Sequence, residues 1–171
     1  MIHRLPILAA LCATLFAIQA AVAGDVRFPA TGNPAFSFRM PDDWTTEQDG
    51  PDSLLLVSGD HSTSFSLTLD TSDDPLDDDI LDEIARVALK VAKTDPAKSK
   101  KPASISGFPG FSYTTTTTNK AGILIGLTLI LVRIDATHLA SCTKIEAANN
   151  SPGQRKAADA VLRSMMLSPP R

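Results

Sequence analysis

The chain has 171 residues, 43% of them hydrophobic and 20% charged, with 16 Lys and Arg against 19 Asp and Glu. That length suits one ordinary domain with a core of its own. A formal net charge of −3 at pH 7 provides no basic footprint for nucleic acid and no polybasic patch for an anionic lipid surface.

Met1 to Arg4 is short and basic, Leu5 to Ala21 is apolar and uncharged, and Ala21-Val22-Ala23 is an A-x-A site. Those are the three parts of a cleavable secretory signal. The apolar run is marginally short for a membrane span. Leu11 precedes Cys12, where a lipoprotein signal needs Gly, Ala or Ser. Cleavage at Ala23 leaves 148 residues with a net charge of −4, placed in the periplasm or outside the cell, with no membrane span expected in the processed chain. Cys142 is then the one remaining cysteine, so no internal disulfide is available. Its strand-like surroundings predict a small buried hydrophobe.

Residues 24–34, rich in Gly, Pro and small polar residues, read as a flexible leader. Phe36 and Phe38 alternate with Ser37 and Arg39, which predicts a short strand ending at Pro41. Asp42-Asp43-Trp44 reads as a turn that sends the single Trp against the core. Ser53–Ser58 and Ser62–Asp70 predict two strands joined by a Gly59-Asp60-His61 hairpin loop. In the second, Phe65, Leu67 and Leu69 share one face, so one side is buried. From Pro75 to Lys93 the period changes to that of a helix. Ile80, Leu81, Ile84, Val87, Ala88 and Val91 form its apolar face, acids lead and bases trail, and Asp95-Pro96 stops it.

Four more strands are expected. Pro102–Ser106 and Phe111–Thr118 flank a Gly107-Phe108-Pro109-Gly110 turn. Ile123–Ile134 follows the turn at Asn119–Gly122, and Thr137–Ala147 follows Asp135-Ala136. The Thr114–Thr118 run suits a half-exposed strand. Ile123–Ile134 is apolar on both faces, so both need covering. A last helix is marked by Ser151, Pro152 and Gln154 as N-cap, first position and capping-box partner, and residues 168–171 form a tail. The order predicts an α+β domain: an α/β/α sandwich whose central, mostly antiparallel sheet of about six to seven strands carries one helix on each face.

Several stretches carry a family likeness. These are Phe36-x-Phe38-x-x-Pro41-x-x-Trp44, the run Ser106-Gly107-Phe108-Pro109-Gly110-Phe111-Ser112-Tyr113, the long apolar hairpin and the ending Leu162-Arg163-Ser164-Met165-Met166-Leu167. Together they resemble the PsbP-like superfamily, which includes Ran-binding Mog proteins, the photosystem extrinsic protein PsbP and bacterial envelope proteins of the DcrB type. The resemblance covers residues 35–167. It implies the same sandwich and an accessory or binding role, and it brings no active-site residue.

Candidate chemistry is sparse. Eight carboxylates fall between Asp70 and Glu83, including Asp73, Asp74, Asp77 and Asp78, and oxygen-rich clusters suit Ca²⁺. The D-x-[DN]-x-[DN]-G loop is missing, however, and acids at a helix start are stabilising without a metal. No other cofactor is predicted. His61 and His138 lack the spacing of a zinc site. Asp135 and His138 leave a spatially assembled hydrolase-type site open, although no G-x-S-x-G elbow, P-loop or G-x-G-x-x-G accompanies them. Trp44, Phe108, Tyr113 and His138 are candidates to line a ligand pocket. The expectation is therefore an exported, non-catalytic accessory or binding protein that engages an envelope protein or a small ligand and no nucleic acid. A small hydrolase and an acidic metal-binding module are the alternatives.

Overall fold

A computed structural model describes residues 24–90 and 95–170. The predicted signal segment 1–23, and the stretch 91–94 where the predicted first helix ends, lie outside the described residues. In chain order the elements begin with β1 (Gly24–Phe28), β2 (Ala35–Met40), β3 (Thr45–Gln48), β4 (Ser53–Val57) and β5 (Thr63–Thr71). Helix α1 (Asp78–Ala88) and a short 3-10 turn (Pro96–Ser99) come next. The chain continues with β6 (Lys101–Ile105), β7 (Phe108–Thr118), β8 (Leu124–Arg133), β9 (His138–Ala147), α2 (Pro152–Ser164) and β10 (Met166–Ser168).

The fold is α+β. Seven strands form one antiparallel sheet in the order β3-β4-β5-β9-β8-β7-β6. Six of its strands and their antiparallel direction follow the alternation visible in the sequence; the seventh, the edge strand β3, was not expected, and the predicted strand at Phe36–Arg39 lies instead in the other sheet. A second sheet, β1-β2-β10, was not expected. Residues 24–28, predicted as leader, are its first strand, because Val26 and Phe28 alternate inward opposite Phe38 and Phe36. Met166–Ser168, read from the sequence as the end of the last helix and the first residue of the tail, form its third strand, with Leu167 buried opposite Phe36.

Other boundaries also differ from the expectation. The β6–β7 turn is Ser106-Gly107, not residues 107–110. Both residues have positive φ, 54° and 84°, as a tight two-residue hairpin turn requires. Phe108 to Gly110 therefore belong to β7. A Cβ on Gly110 would sit 1.9 Å from the Leu131 carbonyl oxygen, so glycine there permits close approach of β8. Helix α1 starts at Asp78 because the Asp77 side chain caps it, accepting from the Ile80 amide at 2.9 Å. Ser151 caps α2 as expected. The Gln154 side chain departs from the capping box: it donates to the Asp43 carboxylate at 3.0 Å, a charged acceptor that makes the stronger bond.

Apolar side chains form two clusters. Leu127, Leu129 and Leu131 of β8 join Leu81, Ala85 and Leu89 beside Tyr113. Val132, with partly buried Ile130, joins Ala158 and Val161 of α2 and the phenylalanines of β2. Successive strand residues point to opposite sides, so the doubly apolar β8 serves both clusters. Polar contacts fix α1 to the sheet. Asp82 accepts from the Tyr113 hydroxyl at 2.6 Å and pairs with Lys100 at 2.8 Å, while Asp78 pairs with Arg133 at 3.0 Å.

Candidate functional site

The concave surface with mixed chemistry lies where β2 ends against the last turns of α2. Phe36, Phe38 and Met40 face the core, so Ser37 and Arg39 project outward. Val161 holds the inner face of α2, and Ala160 and Arg163 are exposed beside it. Ser164 locks the two elements together. Its hydroxyl accepts from the Arg39 backbone amide at 2.9 Å and donates to the Val161 carbonyl at 2.8 Å.

Two adjoining grooves result. One, about 470 Å³, is walled by Pro41 and exposed Ala160 above the buried Met40 and Val161, with Arg39 and Arg163 supplying charge. The second, about 380 Å³, continues past Ser37 and Phe38 to Asp25 and Met166. Arg39 and Ser164 border both. The Arg39 guanidinium lies 3.6 Å from the Asp25 carboxylate, with the side chains 78% and 82% exposed. An exposed pair of that kind holds its members weakly, so the guanidinium is free to engage a ligand. Met166 is 55% exposed. The arrangement presents two exposed guanidinia over a small apolar surface and can pair with negative charge.

The residues singled out in the sequence do not meet in one pocket. Trp44 is 1% exposed and stacks on Phe65 at 5.7 Å between ring centroids. Phe108 packs on that same cluster, whereas Tyr113 is fully buried in the other. The Tyr113 phenol is pushed above its ordinary range by burial and by the Asp82 carboxylate it faces. His138 opens β9, its Nδ1 at 2.8 Å from Asp135 and 3.4 Å from the Thr137 hydroxyl. The Asp135 carboxylate is engaged in building the β8–β9 turn. The Thr137 amide, then the His138 side chain and amide, hold it down at about 2. His61 is an exposed turn residue with φ 56°.

Asp73, Asp74, Asp77 and Asp78 are exposed. Asp77 caps α1 and Asp78 pairs with Arg133, and among the described residues no group of three potential ligands converges. Cys142 is buried, and burial pushes its thiol up to about 12, which leaves it unreactive as a thiolate.

The groove residues Arg39, Arg163 and Ser164 escaped the sequence reading. Arg39 was legible as the outward residue of an otherwise core-facing strand. Nothing local signals that α2 ends beside it, since that juxtaposition arises from tertiary packing.

No family model matches the sequence, and no curated protein matches it. Solved structures share the fold. A protein of Bacteroides thetaiotaomicron VPI-5482 aligns with a TM-score of 0.55 and 15% identity over 78% of this chain. This chain covers 45% of that protein, less than half its length. LpqN of Mycobacterium tuberculosis, a protein involved in cell envelope biogenesis, aligns with a TM-score of 0.56 and 15% identity. That alignment covers 85% of this chain and 90% of LpqN. At such identity the likeness establishes a shared fold. Among the described residues no helix is long and apolar enough to cross a membrane.

Proposed function

We propose that the chain is an exported, non-catalytic accessory or binding protein of the cell envelope, PsbP-like in type, made with a signal peptide removed near Ala23. The observation that carries this reading is the fold shared with LpqN across nearly the whole of both chains, together with the basic-apolar-small N-terminus. Fold likeness alone is a weak warrant for function, and the N-terminal pattern is independent of it. The reading includes a three-layer arrangement with one helix over each face of the large sheet, which the two separate apolar clusters support. Binding is assigned to the groove between β2 and α2, which two exposed guanidinia border.

The test is in-cell crosslinking in the native host with a photoreactive residue at position 160 in the groove, and a control at exposed Val87 on α1. One dominant envelope component captured from position 160, and not from 87, is the expected result. Capture of cytoplasmic components only, or equal capture from both positions, defeats the reading.

A further inference from the structure

We infer that two copies of this chain pair through the α1 side of the large sheet, with α1 of each copy lying over the open half of the other's sheet, beside that copy's own α1. This goes beyond the groove between β2 and α2 and does not depend on it.

Coverage of the large sheet is the first observation. Its seven strands span about 29 Å. One helix, about 10–12 Å across with its side chains, covers fewer than half of them. On one face, α2 and the small sheet share a cluster with β4, β5, β8 and β9. On the other face, α1 packs on Tyr113 of β7, the leucines of β8 and Leu139 of β9, and its cluster takes in no residue of β3, β4 or β5.

The floor of that open half is the second. Strand alternation puts two rows on this face, Val57–Ser64–Ile145 and Leu55–Ser66–Thr143, each running across β4, β5 and β9. None of these side chains is charged. Ile145 is 37% exposed and the other five are half-buried. Glu47 of β3, opposite Leu55, borders the second row.

The flank of α1 is the third. Asp82 marks the side turned toward β7, where it meets Tyr113. At about 100° per residue, Ile80, Ile84 and Val87 fall on the opposite flank, toward β9 and β5. Ile80 and Ile84 are half-buried. Val87, at 66%, is the most exposed large apolar side chain among the described residues, and Ala88 beside it is exposed. The apolar stripe of α1 is therefore wider than its own sheet covers.

Floor and flank make a trough with room for one more helix at the spacing of about 8–10 Å usual for packed helices. The chain itself carries a helix of the matching kind. α1 presents a narrow apolar stripe at Val87, and the charges beside it, Glu83 and Arg86, already pair with each other. An uncharged floor lets two copies of an acidic chain meet without opposing like charges there. A two-fold axis makes the contact twice. Helix α1 has 11 residues and is about 16 Å long. Two such footprints and the seam between the helices cover about 1,000 Å² in all, the lower bound for a specific dimer.

Sedimentation equilibrium of the protein purified from cells tests this. The mass is expected to rise from one chain to two with concentration. Val87→Glu, at an exposed position where Glu is a good helix former, should weaken the dimer at least about tenfold by putting a charge into the trough. Ser66→Lys, in the floor, should do the same. The double variant should recover most of the loss, because the two charges then meet across the interface. Unchanged urea midpoints in dilute solution show that the variants are folded. A photoreactive residue at position 87 should join unlabelled to isotope-labelled chains through β4, β5 or β9, and should not capture the component held at position 160. A single-chain mass up to about 1 mM, a dimer that neither variant weakens, or a double variant no better than the single ones overturns the inference. So does capture at position 87 of another protein in place of a second copy. Failure of the position-160 crosslink alongside self-crosslinking at 87 would defeat the groove assignment and leave the dimer standing.

Discussion

Replacing Asp82 with Ala strikes the point where α1, β7 and the connector before β6 are tied together. The Tyr113 ring is fully buried, and its hydroxyl donates to Asp82 at 2.6 Å. Lys100 reaches the same carboxylate at 2.8 Å while lying over the Phe111 ring at 3.9 Å. Removing the carboxylate strands a polar group in an apolar cluster, which costs about 1–3 kcal/mol. Loss of the partly exposed Lys100 pair adds about 0.2–1 kcal/mol. The variant should therefore be destabilised by roughly 2–3 kcal/mol. Tyr113→Phe removes the hydroxyl and should cost about 1 kcal/mol. In the double variant no stranded hydroxyl remains, so its cost should fall short of the sum by about 1 kcal/mol. Urea unfolding at neutral pH measures all three, with an unchanged slope showing that only stability moved. Additive costs, or a loss below about 0.5 kcal/mol for Asp82→Ala, would refute the linkage.

Two other perturbations read the core directly. Cys142 and Tyr113 both have pKa values raised by burial in the folded protein. The folded chain keeps protons that the unfolded chain releases from about pH 8.5 for Cys and about pH 10 for Tyr. Stability is complete below those values and falls as pH rises, by up to about 1.4 kcal/mol per pH unit for each group. Cys142→Ala should flatten the decline between about pH 8.5 and 10, and identical urea midpoints across that range in both proteins would contradict the burial. Gly110→Ala would place a methyl group 1.9 Å from the Leu131 carbonyl oxygen. The forced separation of β7 from β8 should cost at least about 1–3 kcal/mol in a thermal or urea melt, and an unaltered melt would show that the strands do not approach there.

Much of the large sheet was legible because its residues carry their own periodicity. Phe65, Leu67 and Leu69 alternate with polar neighbours, and Ile123–Ile134 is apolar on both faces. Ser151 marks the start of α2 by local chemistry alone, whereas the first helix was read from Pro75 and its cap Asp77 passed unnoticed. The small sheet was legible only in its middle strand, from the alternation of Phe36 and Phe38. Its strands are short, β10 lies far from the other two in the chain, and the sheet forms only when residues 24–28 and 166–168 meet β2. Glycine and proline near residues 24–34 look like a leader because nothing local reports the partner of Val26 and Phe28. The groove shares this origin. Arg39 points outward by strand alternation, but its nearness to Arg163 depends on the way Ser164 ties the end of α2 to β2. The aromatic candidates failed to converge for a related reason: Trp44 and Phe108 belong to one cluster and Tyr113 to the other.

The most direct measurement for the central claim is the mass and N-terminal sequence of the tagged chain recovered from fractionated cells. The account predicts a chain beginning at or near Gly24, found in the envelope or outside the cell and absent from the cytoplasm. A chain beginning at Met1 and confined to the cytoplasm would contradict it.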